Sequence, residues 1–336
     1  MTPFELILRT VQFRPTDRVP VIPQIFGHAA LCNNVTLDKY LKDGRMLADC
    51  QIRAMERYRS DAVFGLMDVN VESEALGSEL VYREDNYPYI KRALLKDGFR
   101  TTGLELPDPK QDGRLPELLE SISIMRKELD GKVLVTSCVL GPFTLVAQLL
   151  GMERALYMIN DDENKFIELL RFATEVGKVC GTAQVKAGSQ VPIVFDPSAT
   201  QMVLTPALFK ELEFHALKDL FGSLRAAGAT GTWLHIAGRT TEILPYYADI
   251  GVTVGNFDSE VSPSGAMDAL PKTCLDGNIR TLSFVLESPE AIKRKSQDLI
   301  HDFADRGGFI LSSGCEIPLE ARPDCIDAMV TAAKGD

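Results

Sequence analysis

Short, nearly unbroken apolar runs alternate along the chain with longer stretches in which apolar residues recur every three or four positions. Eight such runs stand out, at residues 19–24, 61–65, 132–138, 191–195, 231–236, 252–257, 278–284 and 308–312. Runs this short and this apolar predict strands buried on both faces of a parallel sheet. The amphipathic stretches predict helices at 37–59, 116–129, 143–157, 161–187, 205–227, 240–249, 263–273, 288–306 and 319–333. Thr205-Pro206 and Ser288-Pro289 have the cap-then-proline order that starts a helix. Residues 3–12 predict a further helix ahead of the first strand. Residues 79–95 alternate around a polar turn, which predicts an excursion hairpin.

Eight strand–helix units predict an α/β fold: one (β/α)8 TIM barrel over residues 1–336, with an N-terminal helical extension and the hairpin as decoration. A doubly wound open sheet is the alternative, and it is disfavoured because no G-x-G-x-x-G follows the first strand. The net charge of −11 argues against nucleic acid as a partner. No apolar stretch reaches the roughly 18 residues of a membrane span. The seven cysteines are scattered without a CxxC pair, and no basic, apolar leader precedes them. That pattern predicts reduced thiols in the cytoplasm, most of them packed as small hydrophobes.

Active sites of such barrels lie at the C-terminal ends of the strands. That rule selects His28 after the first strand, Asp68 after the second, Asp196 after the fourth and His235 in the fifth. Asn256 and Asp258 follow for the sixth strand, and Ser312, Ser313 and Cys315 for the eighth. His235 closes an apolar run just before Gly238, so a catalytic or ligating role competes with that of a hydrogen-bonded core histidine. For His28 a substrate-facing role competes with loop packing. Cys315 reads either as a buried thiol or as a metal ligand beside His235, since zinc takes nitrogen and sulfur donors at short range. Asp196 or Glu316 would then have to supply a third ligand. Asp68 and Asp196 read as acid/base or orienting groups, or alternatively as helix caps. Glu72 and Glu74 follow Asp68 and read as a solvated polar edge, with Glu74 alternatively positioning substrate or metal.

Six segments carry a family resemblance: Arg14–Pro20, Asp68–Gly77, Leu140–Leu145, Asp196–Ala199, Leu234–Gly238 and Ser313–Cys315. In this order and at these spacings the chain resembles the uroporphyrinogen decarboxylase superfamily, and within it the corrinoid-dependent methyltransferases. The resemblance implies a (β/α)8 barrel that moves a methyl group between a small methylated compound and the cobalt of a corrinoid held by a separate partner protein. On that reading Asp68, Asp196 and His235 are catalytic, and His28, Glu74 and Asn256 contact substrate. The resemblance also implies zinc held by His235 and Cys315, but Ala237 stands where the branch has a second cysteine. A harder zinc ion with one thiolate fewer would favour O-demethylation of a methyl ether or methanol, with methylamines as further donors. The decarboxylase branch is the alternative. Asp68 matches its aspartate, but its arginine-rich stretch is Ile25–Ala29 here and its late histidine is Cys315. A non-catalytic ligand-binding barrel is the third reading. Monomer and homodimer are both compatible with the sequence.

Overall fold

The computed structural model describes residues 1–96 and 103–335. Eight parallel strands form one sheet: β1 (Val21–Ile22), β2 (Ala62–Gly65), β5 (Leu134–Leu140), β6 (Ile193–Phe195), β7 (Trp233–His235), β8 (Val254–Asn256), β9 (Cys274–Ile279) and β10 (Phe309–Ser313). The two remaining strands, β3 (Glu79–Val81) and β4 (Tyr89–Arg92), pair antiparallel as the excursion hairpin. The sheet runs β1-β10-β9-β8-β7-β6-β5-β2. Its two ends meet at Asp61. The Asp61 amide donates to the Val21 carbonyl at 3.0 Å, and the Asp61 carboxylate accepts from the Val21 amide at 2.8 Å. Arg18 grips the same carboxylate with both terminal nitrogens, at 2.7 and 2.6 Å. The barrel is thereby nearly closed, with one side chain standing in for the ladder that β1 and β2 lack.

Side-chain alternation sorts each strand into an inner and an outer face. Ile22, Phe64, Cys138, Ile193, Phe195, Trp233, Val254, Cys274 and Ile310 form the inner cluster. The outer faces of the strands and the apolar stripes of the helices form the larger core around it. The helix Pro3–Val11, started by a Thr2–Glu5 capping box, adds Ile7 to the inner cluster and closes the floor.

One strand differs from the expectation. The seventh barrel strand is Cys274–Ile279, not 278–284, and Ser283–Leu286 is helical. Asp276, Gly277 and Asn278 gave the true strand the look of a turn. Asp276 is tolerated because it accepts from Trp233 Nε1 at 2.7 Å and Asn256 Nδ2 at 3.1 Å. Residues 240–249 resolve into a 3₁₀ turn at Leu244–Tyr246 and a short helix at Tyr247–Ile250. Among the described residues no helix is long and apolar enough to cross a membrane.

Candidate active site

A cavity of about 220 Å³ lies at the C-terminal mouth of the barrel. Its walls come from the ends of β2, β6, β7 and β10 and from the hairpin turn. His235 is the last residue of β7, where alternation turns it inward beside Phe195. The two rings stack with centroids 4.5 Å apart. His235 is 1% exposed, and among the described residues neither ring nitrogen has a hydrogen-bond partner. Burial pushes its pKa down to about 4, with the Asp258 charge opposing weakly. The imidazole is therefore neutral near pH 7 and offers one N–H and one lone pair. Leaving such groups buried and unpaired costs roughly 1–3 kcal/mol, so the unpaired state of this ring calls for a partner the protein does not itself supply.

Cys315 follows β10 and lines the same cavity, as do Ala237 and Glu316. Burial, helped by the Glu316 and Asp258 charges, pushes the Cys315 thiol up to about 12, so it is protonated in the free protein. Glu316 Oε1 accepts from the Tyr87 hydroxyl and from the Gly27 amide. Burial pushes the Glu316 carboxyl up to about 7 against those two hydrogen bonds. Position 27 is glycine because a Cβ there would sit 2.5 Å from the Tyr87 oxygen. Tyr87 thus fastens the hairpin turn over the barrel mouth.

The other expected residues separate into two groups. Asp68 lines the cavity, but its carboxylate is spoken for: Arg114 Nη1 stands 2.6 Å from Oδ2, and the Asn70 amide donates to Oδ1 at 2.8 Å. Glu74 binds Arg114 Nε at 2.6 Å and accepts from Tyr82, away from the cavity. Asn256 binds Asp276 inside the barrel. His28 is likewise buried outside the cavity. Its Nδ1 donates to the Leu319 carbonyl at 3.0 Å, so its Nε2 accepts from the Tyr58 hydroxyl at 2.9 Å. For His28 the geometry is that of loop packing, not of substrate contact.

Asp196 does not line the cavity either. It is fully buried, and Oδ1 accepts from the Thr144 amide at 2.8 Å and its hydroxyl at 2.5 Å. Glu213, on a π-helical turn at Phe209–Glu213, lies against it. Burial holds the Glu213 carboxyl well above its usual range, and the Asp196 charge adds to this; among the described residues neither Glu213 oxygen nor Asp196 Oδ2 has a hydrogen-bond partner.

These positions decide whether zinc fits. His235 and Cys315 face one cavity, Ala237 brings no donor, Asp196 lies elsewhere and Glu316 is held by Tyr87. Among the described residues no group of three or more His, Cys, Asp or Glu is placed to hold a metal ion. The donor set falls short of the three protein ligands that catalytic zinc takes.

Sequence reasoning missed Arg114, Tyr87 and the Phe26 and Phe195 faces. Arg114 precedes a helix and Tyr87 sits in the hairpin turn, so a rule about strand ends could not select either. The phenylalanines carried no signal beyond apolarity.

The family model described as Uroporphyrinogen decarboxylase (URO-D) matches residues 2–335. The methylcobamide:CoM methyltransferase MtaA of Methanosarcina barkeri is 24% identical, covering 97% of this chain and 96% of its own. A uroporphyrinogen decarboxylase of Thioalkalivibrio sulfidiphilus is also 24% identical, covering 85% of this chain and 82% of its own. The solved structure of a methyltransferase from Methanosarcina mazei superposes with a TM-score of 0.91 at 21% identity, covering 100% of this chain and 99% of that one. With its family model matched almost end to end, this chain belongs to the uroporphyrinogen decarboxylase family.

Proposed function

We propose that the protein is a methyltransferase that moves a methyl group from a small methylated compound to the cobalt of a corrinoid carried by a separate protein. The observation that carries this reading is the buried, unpartnered His235 facing a small cavity beside Cys315. A ring kept neutral and unpaired among the described residues is available to a bound substrate. The resemblance to methylcobamide:CoM methyltransferases supports a corrinoid as one party to the transfer, although in the names of those relatives it is the methyl donor. The cysteines, all unpaired among the described residues, fit a reducing, cytoplasmic setting.

The decarboxylase reading has less support. A tetrapyrrole would bring several carboxylates to the barrel mouth, and among the described residues no lysine or arginine lines the cavity to receive them. Within the methyltransferase reading, O-demethylation rested on a Lewis-acidic zinc at the leaving oxygen. His235 and Cys315 alone do not make that site, so the preference for O-methyl donors loses its chemical basis. In the reading kept here the protein's own groups orient the donor. Phe195 fixes the plane of His235, and the hairpin turn excludes water once the cavity fills.

The test is methylation of free cob(I)alamin under anaerobic conditions, followed by the loss of the cobalt(I) absorbance. Methanol, a methyl aryl ether, methylamines and a tetramethylammonium salt form the donor panel. At least one donor should methylate the cobalt. If none does, while methylcobalamin methylates a thiol in the presence of the protein, the direction of transfer is the reverse of the one proposed.

A further inference from the structure

We propose that the methyl donor is a small quaternary ammonium ion, held between aromatic faces and carboxyl oxygens in the mouth cavity. This rests on the methyltransferase reading and names its substrate class. Phe26, Tyr87 and Phe195 line the cavity. A quaternary ammonium is attracted to such rings because their faces are negative, and it needs no hydrogen bond that the wall would have to supply. Asp68 and Glu316 line the same space; the Asp68 charge is met by Arg114, so Glu316 is the carboxyl left to a ligand. Both hydrogen bonds to Glu316 end on Oε1, so among the described residues Oε2 has none and is free to face a cation.

The wall offers an anion no free cation. Among the described residues no lysine or arginine lines it, and Arg114 spends its nitrogens on neighbours. Its Nε goes to Glu74, its Nη1 to Asp68 and the Leu41 carbonyl, and its Nη2 to Asp68. A sulfonate or carboxylate entering the cavity would meet the Asp68 and Glu316 carboxyls and a neutral His235 ring, and no cationic side chain among the described residues.

The chemistry of departure points the same way. An ether gives up its methyl as an alkoxide, which needs a Lewis acid or a proton at oxygen, and the donor set does not assemble a metal site. A quaternary ammonium carries its own activation. Cobalt(I) supplies the electron pair of the new cobalt–carbon bond and is oxidised to cobalt(III). The carbon–nitrogen pair returns to nitrogen, which leaves as a neutral tertiary amine. The step takes no proton from the protein and gives none to it.

Calorimetric titration of the full chain with choline, with its uncharged isostere 3,3-dimethylbutan-1-ol and with 2-mercaptoethanesulfonate tests this. Choline should bind about tenfold or more tighter than the isostere, a gap in the range of a desolvated cation–aromatic contact. The sulfonate should not bind. Phe195→Leu, Phe26→Leu and Glu316→Gln should each weaken choline several-fold and leave the isostere unchanged. Three separate positions keep the test sound if one variant folds poorly. Equal or tighter binding of the isostere, or any saturable binding of the sulfonate, would overturn the proposal. Selective choline binding without methylation of cob(I)alamin would support the cation site and overturn its role as methyl donor together with the methyltransferase reading. Methylation from methanol or an ether without choline binding would do the reverse.

Discussion

The two sides of the barrel mouth treat their polar groups in opposite ways. On the β2 side Asp68, Glu74 and Arg114 form a closed ion cluster in which each charged group has a partner. On the β7 and β10 side His235 and Cys315 face the cavity, and the His235 ring nitrogens are left without one. Both sides stand at strand ends, and both looked like chemistry in the sequence. The β2 side completes the wall. The β7 side is left open for something the chain does not contain.

That contrast can be broken most directly at Arg114. Removing it in Arg114→Ala leaves Asp68, 2% exposed in its side chain, as an unpaired buried charge. The loss should be about 3–5 kcal/mol, read by chemical denaturation. A loss under about 1 kcal/mol would mean that the cluster is not the closed unit described.

The barrel interior gives the next effect. Burial pushes the carboxyls of Asp276 and Glu72 up to about 7, although hydrogen bonds oppose it. Folded pKa values raised above the unfolded ones mean that the native state binds more protons between about pH 4 and 7. Their contribution to stability is therefore complete below the unfolded pKa and is lost as pH rises through about 7. Each group should lower the unfolding free energy by roughly 2–3 kcal/mol between pH 5 and 8, so the two together by about 5 kcal/mol. Asp276→Asn combined with Glu72→Gln should reduce that slope, leaving the share of Glu316, which burial also pushes up to about 7. An unchanged slope in the double variant would place the titration elsewhere.

The hairpin clasp contributes less. Tyr87→Phe removes the hydroxyl that bonds Glu316 and Gly27 and should cost about 1 kcal/mol. It should also speed hydrogen exchange in the turn between β3 and β4. Smallest of all is the structural effect of His235→Ala. With no hydrogen bond to lose, stability should change by about 1 kcal/mol or less in thermal melts. A large loss would show that the ring is a core residue and not an open site.

Much of the architecture was legible because a parallel strand buried on both faces must be a short apolar run, and seven of the eight barrel strands match such runs closely. The exception, Cys274–Ile279, is the strand that carries an inward aspartate. Its polarity is neutralised by Trp233 and Asn256, which are distant in sequence, so no local pattern could reveal it. The site was legible to the extent that strand ends converge. His235, Asp68 and Cys315 reach one cavity, whereas Asp196, Glu74, Asn256 and His28 spend their polar atoms on neighbours that only the fold brings near. Ala237 is the position where resemblance and geometry meet. It lies on the cavity wall and withholds the donor that a metal site would require.

The central claim is that His235 serves a bound methyl donor at the barrel mouth. The measurement that tests it is the rate of cob(I)alamin methylation by wild type and by His235→Ala, with the most active donor of the panel and at matched stability. A fall of about 100-fold or more, from lost positioning of the donor and not from a lost proton transfer, with the fold intact by circular dichroism, is the predicted result. Methylation at the wild-type rate in His235→Ala would contradict the account.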